Sequence, residues 1–213
     1  MKYLKGFNEA IVDYETDNIK SFYDELSNKI ETSKILTFED VKEVGDKNDI
    51  EVVNYGTFYT ELPSDQMRKD APPKGIPAFA MVNPNTHKAR LILNVTQVDK
   101  RLLDFAYHML KHENVHVGQI GRKKDKTKGE FLGDVRDKKA YFSNKDEVMA
   151  FSQSISDMIM SQNPNSMEEA MKMLPRNPIY RDVSRSVDVD TLKRYRKYIF
   201  LYLEKEFEKK ATS

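Results

Sequence analysis

The residues most able to do chemistry lie between Lys111 and Val117, in the sequence Lys-His-Glu-Asn-Val-His-Val. On a helix, His112 and His116 stand four residues apart and project from one face, so both imidazoles can bind one metal ion. Glu113, beside the first histidine, is placed to accept a proton from a water molecule that the metal activates. This HExxH pattern predicts a zinc-dependent hydrolase.

Few other side chains in the sequence could complete such a site. The chain has 4 histidines and no cysteine, which excludes thiolate metal sites, cysteine nucleophiles and disulfides. Catalytic zinc commonly has three protein ligands and one water. Because no histidine follows His116, the third ligand should be a carboxylate. We favour Glu147, at the start of the next predicted helix, with Asp146 as the alternative.

The composition indicates the class of protein that carries these residues. The chain has 213 residues, of which 39% are hydrophobic and 32% charged, as in a soluble globular domain with a heavily charged surface. A net charge of +1 gives no overall attraction for nucleic acid or anionic membranes. The sequence shows no apolar signal region and no stretch of membrane-spanning length, so we expect a cytoplasmic protein.

The residues before the motif predict a mixed region of helices and strands. The apolar spacing after Asp17 indicates an amphipathic helix over residues 17–32, with Asp17 as its cap. Two further segments are rich in strand-forming residues, and two apolar runs separated by Asn-Pro-Asn predict an antiparallel hairpin. The predicted strands are Lys34–Phe38, Ile50–Leu62, Ala78–Val82 and Ala89–Val95, and a polar loop covers residues 63–77.

The motif itself is predicted to lie on the buried side of an amphipathic helix. Thr96 is the expected N-cap and Gly121 the expected C-cap residue. The two histidines and Glu113 share one arc of this helix with its apolar residues, where polar groups are costly unless a metal or a hydrogen bond satisfies them. The apolar members of the arc are Leu102, Phe105, Ala106, Met109, Leu110, Val117 and Ile120.

The remainder of the chain predicts a helical half. A charged loop over residues 121–139 precedes helices at about 144–160, 167–174 and 189–209. The predicted fold class is therefore α+β: a small mixed or antiparallel sheet packed on the HExxH helix, with a mostly helical C-terminal half. We expect a single domain over residues 1–213, with an α/β lobe at about 1–120 and a helical lobe at about 121–213.

An HExxH helix followed by a helix that carries a glutamate resembles the zincin metallopeptidases of the gluzincin type. The segment Tyr141–Phe151, Tyr-Phe-Ser-Asn-Lys-Asp-Glu-Val-Met-Ala-Phe, resembles the glutamate-bearing segment of small HExxH proteins, including uncharacterised bacteriophage ones. The resemblance covers residues 89–159. It implies that zinc is bound by His112, His116 and Glu147 and that Glu113 is the general base.

The resemblance also implies how a substrate would bind. Zincins place a strand before the HExxH helix at the edge of the sheet, where it holds extended peptide. Residues 89–95 are suitably placed for this role, and backbone pairing there would add the substrate as a further strand. The implied partner is a peptide or protein substrate. If the chain is phage-encoded, the expected compartment is the host cytoplasm, and association with the virion stays open.

Several other residues have both a structural and a functional interpretation. His108 continues the histidine spacing but lies toward the edge of the apolar arc, which favours a surface residue or a support for a ligand. His87 is expected to be solvated in the hairpin loop. Oxyanion donors could come from Tyr141, Arg194 or Tyr195, although Tyr195 fits the apolar stripe of the last helix. A basic run favours a solvated loop over a lid or a nucleic-acid contact: Arg122, Lys123, Lys124, Lys126 and Lys128.

Two functions from different classes follow from these patterns. The first is a zinc metallopeptidase, which the carboxylate of Glu113 favours because a structural metal site has no need of it. The second is a non-catalytic phage structural or host-interaction protein that retains a zincin fold, with or without its metal. A nucleic-acid-binding module depends on the basic run alone. Nothing in the sequence predicts the substrate specificity or the oligomeric state.

Overall fold

The computed structural model describes residues 16–62, 75–83, 85–122 and 137–212. They form two compact units, the N-terminal unit up to residue 122 and the C-terminal unit from residue 137. The fold is a mixed α+β arrangement, mostly helical, with small sheets. No helix within the described ranges has the length and apolar character needed to cross a membrane. The expected single domain stays a prediction.

The N-terminal unit contains four helices and five short strands among its described residues. Helices precede and follow the strands, and the longest helix comes last. In chain order the elements are α1 (Asp17–Ser33), β1 (Leu36–Thr37), α2 (Phe38–Lys47), β2 (Glu51–Asn54), α3 (Tyr55–Glu61), β3 (Ala78–Val82), β4 (Ala89–Leu93), β5 (Gln97–Val98) and α4 (Lys100–Arg122).

The main sheet has three strands in the order β2-β4-β3, and β1 pairs with β5 in a separate two-stranded sheet. β3 and β4 form the predicted antiparallel hairpin, with Ala78 opposite Leu93. β4 also pairs in parallel with β2, with Glu51 opposite Arg90. The expectation that residues 89–95 lie at the sheet edge is therefore wrong. All five β4 residues are buried, as in a strand with neighbours on both sides and on both faces.

Both faces of this sheet are covered, which fixes the position of α4. On one face, Leu91 and other strand residues belong to the same buried core as Leu103 and Leu110 of α4. On the other face, Phe79 packs edge-on against Phe58 of α3, with ring centroids 5.2 Å apart. α4 contacts both hairpin strands and α1. The HExxH helix therefore has a rigid support on one side.

Residues 50–62 are only partly the strand that their composition predicts. The strand ends at Asn54 and a helix, α3, follows directly. The side chain of Asn54 accepts a 2.8 Å hydrogen bond from the backbone N–H of Thr57, which caps the helix. Local capping and packing on Phe79 thus override the strand propensity of the Tyr and Thr residues that follow.

The ends of α1 and α4 also differ from the predicted caps. Thr16 occupies the N-cap position of α1, and Asp17 is its first residue. The side chain of Asp99, rather than Thr96, caps α4 by accepting a 2.8 Å hydrogen bond from the N–H of Leu102. At the other end, α4 reaches Arg122, so Gly121 lies inside the helix.

The apolar arc of α4 is rotated from the predicted one. Leu103, Ala106 and Leu110 are buried in the core, whereas Phe105 is 47% exposed. The rotation follows from packing: the helix turns Leu103 toward α1 and the hairpin, and Phe105 then points away from them. The prediction that Phe105 belongs to the buried arc is wrong.

The C-terminal unit is entirely helical in its described residues. Its elements are α5 (Lys138–Ser143), α6 (Lys145–Met160), α7 (Met167–Met173), a 3₁₀ turn (Leu174–Arg176), α8 (Pro178–Ser186) and α9 (Val189–Thr212). The three predicted helices are confirmed as α6, α7 and α9, and α5 and α8 are additional.

Close packing of α6 against α9 dominates this unit. Ser152 and Ser156, one turn apart on α6, donate hydrogen bonds to the carbonyl groups of Tyr195 and Ile199, one turn apart on α9. The two helices therefore run in parallel, and the small serine side chains of α6 allow a close approach. Most of the predicted loop residues, 63–74 and 123–136, lie outside the described residues, as does the run Lys123 to Lys128.

Candidate metal centre

α4 brings the three residues of the HExxH motif together. One potential ligand atom from each of His112, Glu113 and His116 lies within 4.8 Å of the others. The two imidazole rings have centroids 5.1 Å apart and an interplanar angle of 72°. In the part of the chain that the structure describes, no other group of three His, Asp or Glu side chains converges in this way.

The spacing of the cluster is compatible with a metal ion bound by the two histidines. Two nitrogen ligands at about 2.1 Å from one zinc ion are about 3.4 Å apart. Ligand atoms within 4.8 Å of one another reach that spacing by small rotations of the side chains. Two imidazoles supply part of a donor set that suits zinc, and the carboxylate of Glu113 lies beside them. The residues therefore fit the metal that the sequence predicts.

Burial divides the cluster into an inner and an outer part. His116 is buried, at 7% exposure, whereas His112 and Glu113 are half-buried. The buried histidine is held by the protein, and the two half-buried groups remain accessible from the helix surface. The cluster is therefore closed on one side and accessible on the other.

A hydrogen bond holds the buried histidine. Nδ1 of His116 lies 2.8 Å from Oε1 of Gln119, and both residues are buried. The contact spans three positions along α4, the spacing at which side chains on a helix meet. Sequence reasoning missed Gln119, although the extended spacing His-x-x-Gln after the motif was available as a signal.

A column of aromatic and cationic groups joins the motif helix to α1. The rings of Tyr23 and Tyr107 stack with centroids 4.0 Å apart. Nζ of Lys100 lies 4.4 Å from the first ring centre and Nζ of Lys111 lies 4.2 Å from the second. Such cation–π contacts add an attraction between each amine and the face of its ring. Lys111, which immediately precedes the first motif histidine, is buried at 3% exposure.

An ion pair reinforces the start of this column. Lys100 donates to Asp104 at 2.8 Å and to the hydroxyl of Tyr23, which in turn donates to Asp104 at 2.7 Å. Burial lowers the pKa of Lys100, but these hydrogen bonds outweigh that effect and raise the pKa above its ordinary value. The first turns of α4 are thus fastened to α1.

Glu147, the predicted third ligand, lies in the first turn of α6. The side chain of Asn144 caps this helix by accepting a 2.9 Å hydrogen bond from the N–H of Asp146. Glu147 is buried, and Asp146 is half-buried. Asn144 is therefore the cap, and Glu147 takes the third helical position. The two histidines belong to the other unit, so ligation by Glu147 stays a prediction.

The chain matches no family model, curated protein or solved structure. Functional inference therefore depends on the residues themselves. Among the described residues, the feature that points to function is the His-Glu-x-x-His cluster, whose side chains could hold a metal ion.

The remaining candidate residues have other roles or positions. Tyr195 is fully buried and donates a 3.0 Å hydrogen bond to the carbonyl of Phe142, which confirms its place in the core. His108 is half-buried, with its ring 6.3 Å from that of Tyr107. His87 lies in the hairpin loop with a positive φ of 55° and is half-buried.

A shallow groove in the N-terminal unit lies away from the motif. It is found where β2 and β4 end, and Asn54, Leu93 and Thr96 contribute to its lining. α4 begins at Lys100, so at a rise of about 1.5 Å per residue His112 and His116 are roughly 18 and 24 Å along the helix from its start. The groove is therefore separate from the metal cluster.

Proposed function

We propose that the protein is a zinc-dependent metallopeptidase of the gluzincin type, with a zincin-like fold. The observation that carries the proposal is the convergence of His112, Glu113 and His116 on α4, with potential ligand atoms within 4.8 Å of one another. A helix that packs on a small sheet and presents this motif supports it further. In the proposal His112, His116 and Glu147 bind zinc.

The proposed roles of the residues follow from their chemistry. When bound, zinc acts as a Lewis acid toward the scissile carbonyl and lowers the pKa of water at the site. His112 and His116 bind through their ring nitrogens. Gln119 holds His116 in place by a hydrogen bond. A carboxylate oxygen of Glu113 accepts a proton from the attacking water and donates it to the nitrogen of the leaving amine.

The substrate class follows from this reaction. A carboxylate that moves a proton beside two metal-binding imidazoles suits hydrolysis of an amide bond, so we propose a peptide or protein substrate. The half-buried positions of His112 and Glu113 leave the reacting side of the cluster accessible to an extended chain.

Zinc content and hydrolysis of a peptide library by the purified protein test the proposal. We expect about one zinc per chain, lost in His112→Ala and His116→Ala but retained in His108→Ala. Glu113→Gln should keep the zinc and lose hydrolysis by a factor of about 100 or more. Glu43→Gln, which changes a carboxylate on the surface of α2, is the matched control and should leave both unchanged.

Three outcomes would contradict the proposal. Absence of zinc from protein purified without chelators would remove the metal site altogether. Zinc binding without any hydrolysis would remove the enzyme assignment. Hydrolysis that Glu113→Gln leaves unchanged would show that the activity does not come from this site. Zinc binding without hydrolysis would favour a non-catalytic structural or host-interaction protein that keeps the metal for stability.

A further inference from the structure

We infer that Gln119 is a positioning residue that fixes the tautomer and the orientation of His116 for metal binding through Nε2. The inference depends on the proposed zinc site and adds a residue outside the HExxH motif to it. The contact between Nδ1 of His116 and Oε1 of Gln119, at 2.8 Å between two buried side chains, carries it.

The chemistry of the contact selects one form of the imidazole. An amide oxygen has lone pairs and no hydrogen, so it can only accept a hydrogen bond. Nδ1 of His116 must then carry the proton and donate it to Gln119. In a neutral imidazole with a proton on Nδ1, Nε2 has the free lone pair. Gln119 therefore leaves Nε2 as the ligand atom.

The fold keeps this contact in place. His116 and Gln119 lie three residues apart on α4, whose backbone fixes the separation of their Cα atoms. Both side chains are less than one-tenth exposed, so water competes little for the hydrogen bond. His116 is thus held in a preorganised position.

The expected consequence concerns metal affinity. Groups that hydrogen-bond to a metal-binding histidine orient its ring, and their loss commonly weakens metal binding by roughly 10- to 100-fold. Gln119→Met keeps a side chain of similar length and helix propensity but cannot accept the Nδ1 proton. Gln119→Glu keeps an acceptor at the same position.

The experiment combines two measurements on the full-length chain. Zinc affinity is measured by competition with a chelator for wild type, Gln119→Met and Gln119→Glu. The tautomer of His116 is measured in the metal-free proteins from imidazole ¹⁵N shifts, with His116→Ala for assignment. The matched control is Gln153→Met, which removes another buried glutamine amide, on α6.

We expect His116 of the metal-free wild type to carry its proton on Nδ1, and the proton to shift toward Nε2 in Gln119→Met. Zinc affinity should fall roughly 10- to 100-fold in Gln119→Met, stay at the wild-type level or rise in Gln119→Glu, and not change in Gln153→Met. A general loss of packing would not shift the tautomer and would not be restored by glutamate.

Failure of this inference is distinguishable from failure of the proposed function. If the wild type binds zinc and Gln119→Met binds it equally tightly, or if His116 carries its proton on Nε2, the role of Gln119 is wrong and the metal site stands. If the wild type binds no zinc, both are wrong.

Discussion

The hydroxyl group of Tyr195 donates a 3.0 Å hydrogen bond to the backbone carbonyl of Phe142, so α9 is tied to the last turn of α5. The ring of Tyr195 is fully buried. Burial and the nearby negative charge of Glu147 raise the pKa of Tyr195 far above its ordinary value. The phenol is therefore a neutral structural donor across the whole working range of pH.

This relationship predicts how stability changes at alkaline pH. The folded protein keeps the Tyr195 proton, whereas the unfolded chain loses it above a pKa of about 10. Its contribution is therefore fully present below pH 10 and declines as the pH rises further. Between pH 9 and 11 the free energy of unfolding of wild type should fall by about 1.4 kcal/mol more than that of Tyr195→Phe.

Urea unfolding at both pH values measures this difference. The control is Tyr59→Phe, at an exposed position on α3, which should show the same pH dependence as wild type. Equal alkaline losses in wild type and Tyr195→Phe would contradict the assignment. At neutral pH, Tyr195→Phe should cost about 1 kcal/mol of stability through its lost hydrogen bond and leave hydrolysis unchanged.

The third metal ligand is open to a direct comparison of neighbouring carboxylates. Glu147 is buried and Asp146 is half-buried in the same first turn of α6. Because a protein ligand supplies a large part of the zinc affinity, Glu147→Ala should weaken binding by about 100-fold or more and Asp146→Ala by less than about threefold. Chelator competition gives both zinc affinities. A larger loss of affinity in Asp146→Ala than in Glu147→Ala would identify Asp146 as the third ligand.

An ion-pair network on the sheet predicts a loss of stability. Arg90 is buried and donates to Glu51 at 2.5 Å and to Glu61 at 2.7 Å. Arg90→Met leaves both carboxylates without this cation. Because the carboxylates are partly exposed, we expect a cost of about 2 kcal/mol rather than the larger cost of a fully buried pair. Chemical denaturation measures it.

The pH dependence and a surface control make this prediction sharper. Burial raises the pKa of Glu51, but hydrogen bonds from Arg90 and Asn83 outweigh it and lower the pKa overall. The stabilisation is therefore present at neutral pH and lost as the pH falls through this lowered pKa. Lys88→Met, which removes an exposed pair with Asp49, should cost less than about 1 kcal/mol. Equal losses of stability in Arg90→Met and Lys88→Met would contradict the stabilising role of the Arg90 network.

A close approach between α2 and β2 predicts intolerance of a methyl group. A Cβ atom on Gly45 would lie 2.6 Å from Cγ2 of Val52 and 2.8 Å from the carbonyl oxygen of Ile50. Gly45→Ala should therefore destabilise the protein by about 1–3 kcal/mol. Gly75→Ala, where the new atom meets nothing within 4 Å, is the control and should change stability by less than about 0.5 kcal/mol. Thermal denaturation of both variants distinguishes them.

The sequence predicts the motif helix and the hairpin before it because their signals are local. Four-residue spacing places His112 and His116 on one face of any helix, and apolar strands around a turn pair with each other. Helices α6 and α9 follow from their apolar periodicity for the same reason. These elements carry most of the candidate site.

The features that the sequence did not predict depend on tertiary packing. α3 has the composition of a strand, and the Asn54 cap together with the Phe58–Phe79 contact makes it a helix. The central place of β4 depends on β2, which lies far away in the chain. The exposure of Phe105 follows from the rotation of α4 against the core, which periodicity alone does not fix.

The double pairing of β4 has a consequence for the order in which the chain folds. Its antiparallel partner β3 is separated from it by a short turn, whereas its parallel partner β2 is about 39 residues away. Closing the short loop costs less entropy. We expect substitutions in the hairpin and α4 to slow folding, and those in β2 to accelerate unfolding. The helix that carries His112 and His116 would then pack against the β3–β4 hairpin early in folding, before β2 completes the sheet.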